Sequence, residues 1–169
     1  KNKGNACARN TAWRNSNGRY IAFMDDDDEW IDPKKLTKQV EIFEHSNASS
    51  LAIVCTAVRR YFSDHNYQET GVSLPRDPRR AILAGNGFIY SPTVMTRRVI
   101  LEKVGGFDEL MPKGVDSEFF RNCIAKHNYS THLLPDVTTS VREYGDDRMT
   151  PVRGFCDAKK VLRANFRLL

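Results

Sequence analysis

The sequence predicts an α/β domain, a mixed sheet flanked by helices, and three observations carry that expectation. Compact apolar runs of strand length, at residues 19–24, 51–55 and 131–134, alternate with stretches whose apolar residues recur at helical spacing. Breaks rich in glycine, proline or asparagine separate many of these elements. Four aspartates stand directly behind the first apolar run, at the carboxyl end of a strand, which is where open α/β sheets bind ligands. With 169 residues, 40% hydrophobic and 28% charged, the chain has the size and composition of one folded domain rather than of a disordered segment.

The first element is a short helix over residues 5–16, with Ala8 and Ala12 as small apolar positions and Asn17-Gly18 as its stop. Residues 19–24 form a buried strand that runs into Asp25-Asp26-Asp27-Asp28. Asp32 at the N-cap and Pro33 at the first helical position open the next helix. Leu36, Val40 and Phe43 supply its apolar face, and it ends near His45-Ser46. Strands follow at 51–55 and 58–62. Residues 63–78, polar and broken by Gly71, Pro75 and Pro78, read as a surface loop. Gly85-Asn86-Gly87 leads into an irregular strand over 88–95. A helix over 97–104 is closed by Gly105-Gly106, where glycine takes the left-handed C-terminal conformation. Asp116 begins a helix that buries Phe119, Phe120, Cys123 and Ile124 and ends near His127-Asn128. A short strand at 131–134 is stopped by Pro135, and a last helix runs over 155–166.

Composition narrows the classes of function. No apolar run approaches the ~18 residues of a membrane span. The polar start Lys1-Asn2-Lys3-Gly4 is not a signal peptide, and the missing initiator Met reads as a fragment. Cys7, Cys55, Cys123 and Cys156 lie far apart without the paired spacing of a zinc site; the first three sit among apolar neighbours, as buried, reduced thiols of a cytoplasmic protein do. The net charge of +5 comes from dispersed basic pairs without interleaved aromatics, a solvated basic surface rather than a nucleic-acid interface. Such a surface is compatible with an anionic substrate or the anionic inner face of a membrane.

Four adjacent carboxylates at the end of a buried strand repel one another unless something compensates them. Strand alternation would send Asp25 and Asp27 to one face and Asp26 and Asp28 to the other. Two converging carboxylates suit Mg²⁺ or Mn²⁺, which take their remaining ligands from phosphate and water. The flanking apolar strand and Trp30 set the run apart from a solvated acidic loop. It also lacks the glycine and distant glutamate of a calcium loop.

Gly4-Asn-Ala-Cys-Ala-Arg-Asn10 followed by Asn17-Gly-Arg-Tyr-Ile-Ala-Phe-Met-Asp-Asp-Asp-Asp-Glu-Trp30 resembles the family 2 glycosyltransferases, which have the GT-A fold. Ser91-Pro-Thr-Val-Met-Thr-Arg-Arg98, Leu101-Glu-Lys-Val-Gly-Gly-Phe-Asp-Glu109 and Val115-Asp-Ser-Glu-Phe-Phe120 resemble that family's later motifs in the same order. The resemblance implies an inverting transferase that moves a sugar from a nucleotide-diphosphate donor to the hydroxyl of a carbohydrate or glycolipid acceptor. It points to cell-surface polysaccharide or glycoconjugate synthesis, in the cytoplasm or at the inner membrane face.

It also implies residue roles. Asp25 and Asp27 match the D-x-D signature, with Asp27 as the direct ligand of Mn²⁺ or Mg²⁺ and Asp25 at the ribose or metal shell. Arg9 lies near the nucleotide, and Asp26, with Asp28, supports the site; Arg9, Asp25 and Asp26 form the cofactor-binding set. Asp116 matches the catalytic base, where the bare sequence favours an N-cap. Glu118 is a weaker acceptor-side candidate, Asp108 fixes the turn after the glycine pair, and Trp30 reads as core or as a sugar platform.

The family's opening strand and its first acidic segment have no counterpart here. The resemblance therefore makes residues 1–150 the C-terminal two-thirds of an N-terminally truncated catalytic domain, and residues 151–169 a helical extension. Val115 stands where a glutamate often precedes the base, and Tyr144 where relatives often carry a histidine near the metal; Asp146 and Asp147 are nearby. Two other readings fit the residues: a metal-dependent nucleotidyl- or phosphoryltransferase of related fold, and a non-catalytic carbohydrate-binding fragment.

Overall fold

The computed structural model describes residues 3–62, 66–70, 74–84, 89–111 and 113–143. The elements are α1 (Asn5–Asn15), β1 (Tyr20–Ala22), β2 (Glu29–Trp30), α2 (Lys35–His45), β3 (Leu51–Tyr61), β4 (Tyr67–Thr70), α3 (Pro78–Leu83), a 3-10 turn (Ser91–Thr93), β5 (Met95–Arg97), α4 (Arg98–Val104), α5 (Val115–Arg121) continuing as a π-helical turn (Asn122–Lys126), and β6 (Ser130–Arg142). The expected helix over 155–166, Cys156, Gly85-Asn86-Gly87 and the Tyr144, Asp146 and Asp147 positions lie outside the described residues. Among the described residues no helix is long and apolar enough to cross a membrane.

The strand order is β1-β5-β3-β6-β2, with β4 added alongside β3. The β3–β6 pair is parallel and the others are antiparallel, so the sheet is mixed, as expected. β3 is buried from Leu51 to Val58, which explains its continuous run of apolar residues. One core cluster packs Trp13, Phe23, Ile53, Cys55, Leu101, Phe107, Phe119 and Phe120, and a smaller one packs Phe43, Leu51, Val54 and Met95.

Several boundaries differ from the sequence expectation for physical reasons. The two strands expected over 51–62 are one strand, because the polar Thr56 is satisfied inside the sheet by the hydroxyl of Thr138, at 2.6 Å. Pro135 does not stop β6: the register jumps from Thr56↔Leu134 to Ala57↔Val137, so Pro135 and Asp136 sit in a bulge that needs no amide hydrogen at the proline. Asp136 is thereby aimed at α2, where it pairs with Lys38. The expected loop over 63–78 contains β4, and its end opens α3, where Asp77 accepts from the Arg80 amide at 2.9 Å and Pro78 occupies the first turn. In the irregular stretch over 88–95 the described residues form the 3-10 turn and the start of β5. α2 begins at Lys35; Asp32 caps the preceding turn, accepting from the Lys34 amide at 2.8 Å.

The buried face of α2 is Lys35, Gln39 and Phe43, whereas Leu36 is 39% exposed. Of the three expected apolar positions Phe43 is buried and Val40 packs against the same cluster, whereas Leu36 faces out and Lys35 and Gln39, satisfied internally, complete the buried face. Cys55 and Cys123 are buried free thiols, each pushed up to about 12 by burial, while Cys7 is only half-buried.

Candidate active site

β1 and β2 stand at opposite ends of the strand order, so residues 23–28 carry the chain from one side of the sheet to the other. The Phe23 amide donates to the Val94 carbonyl at 3.3 Å, and the Asp28 amide donates back to the Asp25 carbonyl at 3.3 Å. The acidic run is therefore a turn and not the end of an extended strand. Alternation does not apply to it: Asp25 and Asp28 are half-buried at its two ends, and Asp26 and Asp27 are exposed at its tip.

Arg9 projects from α1 onto this turn and forms an ion pair with Asp25. Its guanidinium also lies over the Phe107 ring, 5.7 Å from the centroid. The pair is partly shielded, with side-chain exposures of 12% for Arg9 and 34% for Asp25. Asn10, the next residue, is buried. Its amide donates to the Phe107 carbonyl and to Glu109 at 2.8 Å each, and its oxygen accepts from the Phe107 amide at 2.9 Å and from the Trp13 indole at 3.0 Å. α1 is thus fastened to the segment after α4. Asp108 fixes the turn there as expected, accepting from the Leu110 amide at 2.9 Å.

Three aromatic rings join these pieces to α5. Phe23 meets Phe107 edge-on at 5.3 Å and Phe119 at 6.5 Å, and Phe107 meets Phe119 at 4.8 Å. Through them the residue preceding the acidic run by two positions, the aromatic under Arg9, and the helix bearing Asp116 share one packed unit. Asp116 is in the first turn of α5 but is not its cap. The N-cap position is Gly114, and among the described residues the Asp116 carboxylate accepts from the neighbouring Ser117 amide alone, at 2.8 Å. That leaves a half-exposed carboxylate with acceptor capacity to spare. Glu118 is held above the usual carboxylate range by burial, with Asp108 adding repulsion and Arg121 and Lys126 opposing it.

The family model for glycosyl transferase family 2 matches residues 1–105, more than half of the chain. The chain belongs to that family. It is 28% identical over 146 residues to an uncharacterised glycosyltransferase of Methanocaldococcus jannaschii, covering 84% of this chain and 48% of that one. Over 47 residues it is 49% identical to a UDP-Glc:alpha-D-GlcNAc-diphosphoundecaprenol beta-1,3-glucosyltransferase of Escherichia coli, covering 28% and 18% of the two chains. In structure it is similar to S. aureus TarS 1–349 in complex with UDP-GlcNAc, with a TM-score of 0.68 at 18% identity, covering 98% of this chain and 47% of that one. It is also similar to a mannosyltransferase from Pyrobaculum calidifontis in complex with GDP-Man and Mn²⁺, with a TM-score of 0.57 at 21% identity, covering 92% and 39%. These likenesses establish the GT-A fold. The chain spans about half the length, or less, of the relatives it matches.

Within the family's fold, the donor chemistry of the acidic turn fits a hard divalent ion. Asp25, Asp26 and Asp27 offer only carboxylate oxygens, and the tip of the turn is open to solvent. Among the described residues no three His, Cys, Asp or Glu side chains gather to hold an ion by themselves. The fit is therefore to an ion that draws further ligands from phosphate and water, the usual habit of Mg²⁺. Trp30 is no open platform: its indole donates to the Pro92 carbonyl at 2.9 Å, and the Lys35 ammonium lies over its ring at 4.5 Å. Sequence reasoning missed Asn10, Lys35 and Gln39. The signal for the last two was polar residues spaced four apart in register with Phe43.

Proposed function

We propose that this chain forms the acidic-turn and acceptor-base portion of an inverting, metal-dependent glycosyltransferase that uses a nucleotide-diphosphate sugar. The observation that carries the reading is the Arg9–Asp25 pair over Phe107, which puts the helix of the Ala-Arg-Asn motif and the acidic turn at one place in a family 2 chain. The complexes of two structural neighbours, with UDP-GlcNAc and with GDP-Man and Mn²⁺, support the donor class.

In this reading Asp27 is the direct ligand of Mn²⁺ or Mg²⁺, and Asp25, oriented by Arg9, serves the ribose or the metal shell. Asp26 stands beside them at the tip of the turn. Arg9 adds positive charge that offsets the nucleotide diphosphate. A bound divalent ion stabilises the negative charge that develops on the leaving diphosphate. Asp116 takes the proton from the acceptor hydroxyl as that oxygen bonds to the anomeric carbon, and the bond from that carbon to the diphosphate oxygen breaks on the opposite face. A single displacement of this kind inverts the anomeric configuration. The acceptor class is a carbohydrate or glycolipid, in cell-surface polysaccharide or glycoconjugate synthesis.

The test is Asp116→Asn in a longer protein that contains this chain. Transfer should fall by about 10²–10⁴-fold, the range of general-base catalysis. Calorimetric binding of the nucleotide diphosphate with Mn²⁺ should stay within about twofold, because in this reading Asp116 serves the acceptor hydroxyl and not the donor. Loss of binding together with transfer would overturn this division of roles.

A further inference from the structure

Lys35 is 0% exposed, the largest fully buried side chain among the described residues. Removing a charge from water is costly, and an apolar residue of similar size is often the more stable choice at such a place. Packing alone therefore does not account for an ammonium here, and its contacts do. Lys35 Nζ donates to Gln39 Oε1 at 2.9 Å and lies 4.5 Å from the centre of the Trp30 ring.

Both contacts lead to one short stretch of backbone. Gln39 Oε1 is turned towards Lys35, so its Nε2 points the other way and donates to the carbonyls of Val54 at 2.8 Å and Thr93 at 2.9 Å. The Trp30 indole donates to the carbonyl of Pro92 at 2.9 Å, and the Phe23 amide donates to the carbonyl of Val94 at 3.3 Å. Three consecutive carbonyls, at 92, 93 and 94, thus receive Trp30, Gln39 and Phe23. Phe23 and Trp30 bracket the four aspartates. The acidic turn is strung between two pins on the same support, and Lys35 orders the downstream pin and the Gln39 bond that holds the support to β3 and α2.

We propose that Lys35 is a positioning residue for the acidic turn, acting through the Trp30 ring and the Gln39 amide rather than by contact with substrate. The alkyl stem fills the core, while the ammonium supplies the donor to the Gln39 oxygen and the cation on the indole face. Without it, the Gln39 oxygen is left buried with no donor, the amide is held only by its two carbonyl bonds, and the ring loses the cation on its face. The aspartates then keep their sequence but lose their common anchor. The importance of the turn rests on the donor-site reading above; the test below uses no nucleotide, so the two readings fail separately.

The experiment is amide hydrogen exchange in a longer protein that contains this chain, comparing wild type with Lys35→Met, which keeps an unbranched stem one atom shorter and removes the charge. Exchange at the Phe23, Asp28 and Ile31 amides should become about tenfold faster, as in local opening. The β3 amides and the denaturant midpoint should stay at or above their wild-type values. That pattern separates positioning from support of the core, which would move every segment together. Trp30→Phe, which keeps a ring but deletes the pin to Pro92, should loosen the same amides and decides the matter if Lys35→Met does not fold. Unchanged exchange at 23–31 in the folded variant, or a rise spread evenly through β3, would overturn the proposal.

Discussion

At the scale of single residues, two positions show how close approach and burial set energies that the sequence only hints at. Gly105 and Gly106 close α4 with φ of 89° and 77°. A Cβ at Gly105 would meet nothing within 4 Å, but at Gly106 it would meet Asn10 Oδ1 at 2.5 Å and the Trp13 indole nitrogen at 3.1 Å. Gly105→Ala should therefore cost about 1 kcal/mol for the left-handed backbone alone. Gly106→Ala should cost on the order of 2–4 kcal/mol and also disturb the Asn10 hub beneath Arg9. Urea unfolding of the two variants side by side tests this, and equal losses would contradict the role given to Asn10. Lys35 makes a prediction in pH. Burial lowers its pKa from 10.5 to about 8, with the Cys55 thiol acting weakly in the opposite sense. Between those values the unfolded chain holds a proton that the folded chain has released, so stability rises as pH climbs from about 8 towards 10.5. The gain is at most on the order of 3 kcal/mol, and the Trp30 face offsets part of it. It should vanish in Lys35→Met. Denaturant midpoints of the two proteins at pH 7.5 and 9.5 measure the difference; a parallel pH response would sink the assignment.

At the scale of elements, much of the fold was legible where burial and local signals agree. β1, the apolar first half of β3, α4 with its glycine stop and α5 with its inward phenylalanines lie where the sequence places them. Errors arose where a tertiary contact reverses a local signal. Pro135 reads as a strand end, yet a bulge opposite Thr56 and Ala57 lets β6 continue. α2 turns Lys35 and Gln39 inward because each finds a partner there, so counting apolar positions found Phe43 and Val40 but wrongly placed Leu36 inside. α3 was the avoidable miss: Asp77-Pro78 repeats the Asp-Pro signal of Asp32-Pro33, and whereas α2 starts only at Lys35 with Lys34 at its N-cap, here Asp77 is the N-cap and Pro78 the first helical residue. Its short length makes the cap matter. Asp77→Ala removes the bond to the Arg80 amide and should cost about 1 kcal/mol. Exchange at residues 80–84 should quicken first, since Ile82 is the residue that buries this helix. Unaltered exchange there would mean that the Ile82 contact, not the cap, holds α3.

At the scale of the whole molecule, the candidate site could be proposed from motifs in the sequence but not as a geometry. Arg9, Asp25 and Asp116 could be named from their surroundings in sequence. The turn at 25–28, the Arg9–Asp25 pair and the phenylalanine cluster needed the fold, because each joins segments remote in the chain. That geometry bears on how a metal would be held. Among the described residues no three His, Cys, Asp or Glu side chains gather to hold an ion, so under the proposed function a metal at the turn would draw further ligands from the diphosphate and water. Metal and nucleotide should then bind synergistically, and by linkage each must raise the affinity of the other by the same factor. In a longer protein containing this chain, Mn²⁺ binding followed by electron paramagnetic resonance should tighten about tenfold or more when a nucleoside diphosphate is added. Nucleotide affinity measured by calorimetry should fall by that factor when EDTA removes the ion, and Asp27→Asn should produce the same fall and abolish the further effect of EDTA. Tight Mn²⁺ binding without nucleotide would reveal a cage built by protein groups alone. Nucleotide binding indifferent to EDTA would take the acidic turn out of the metal's reach altogether.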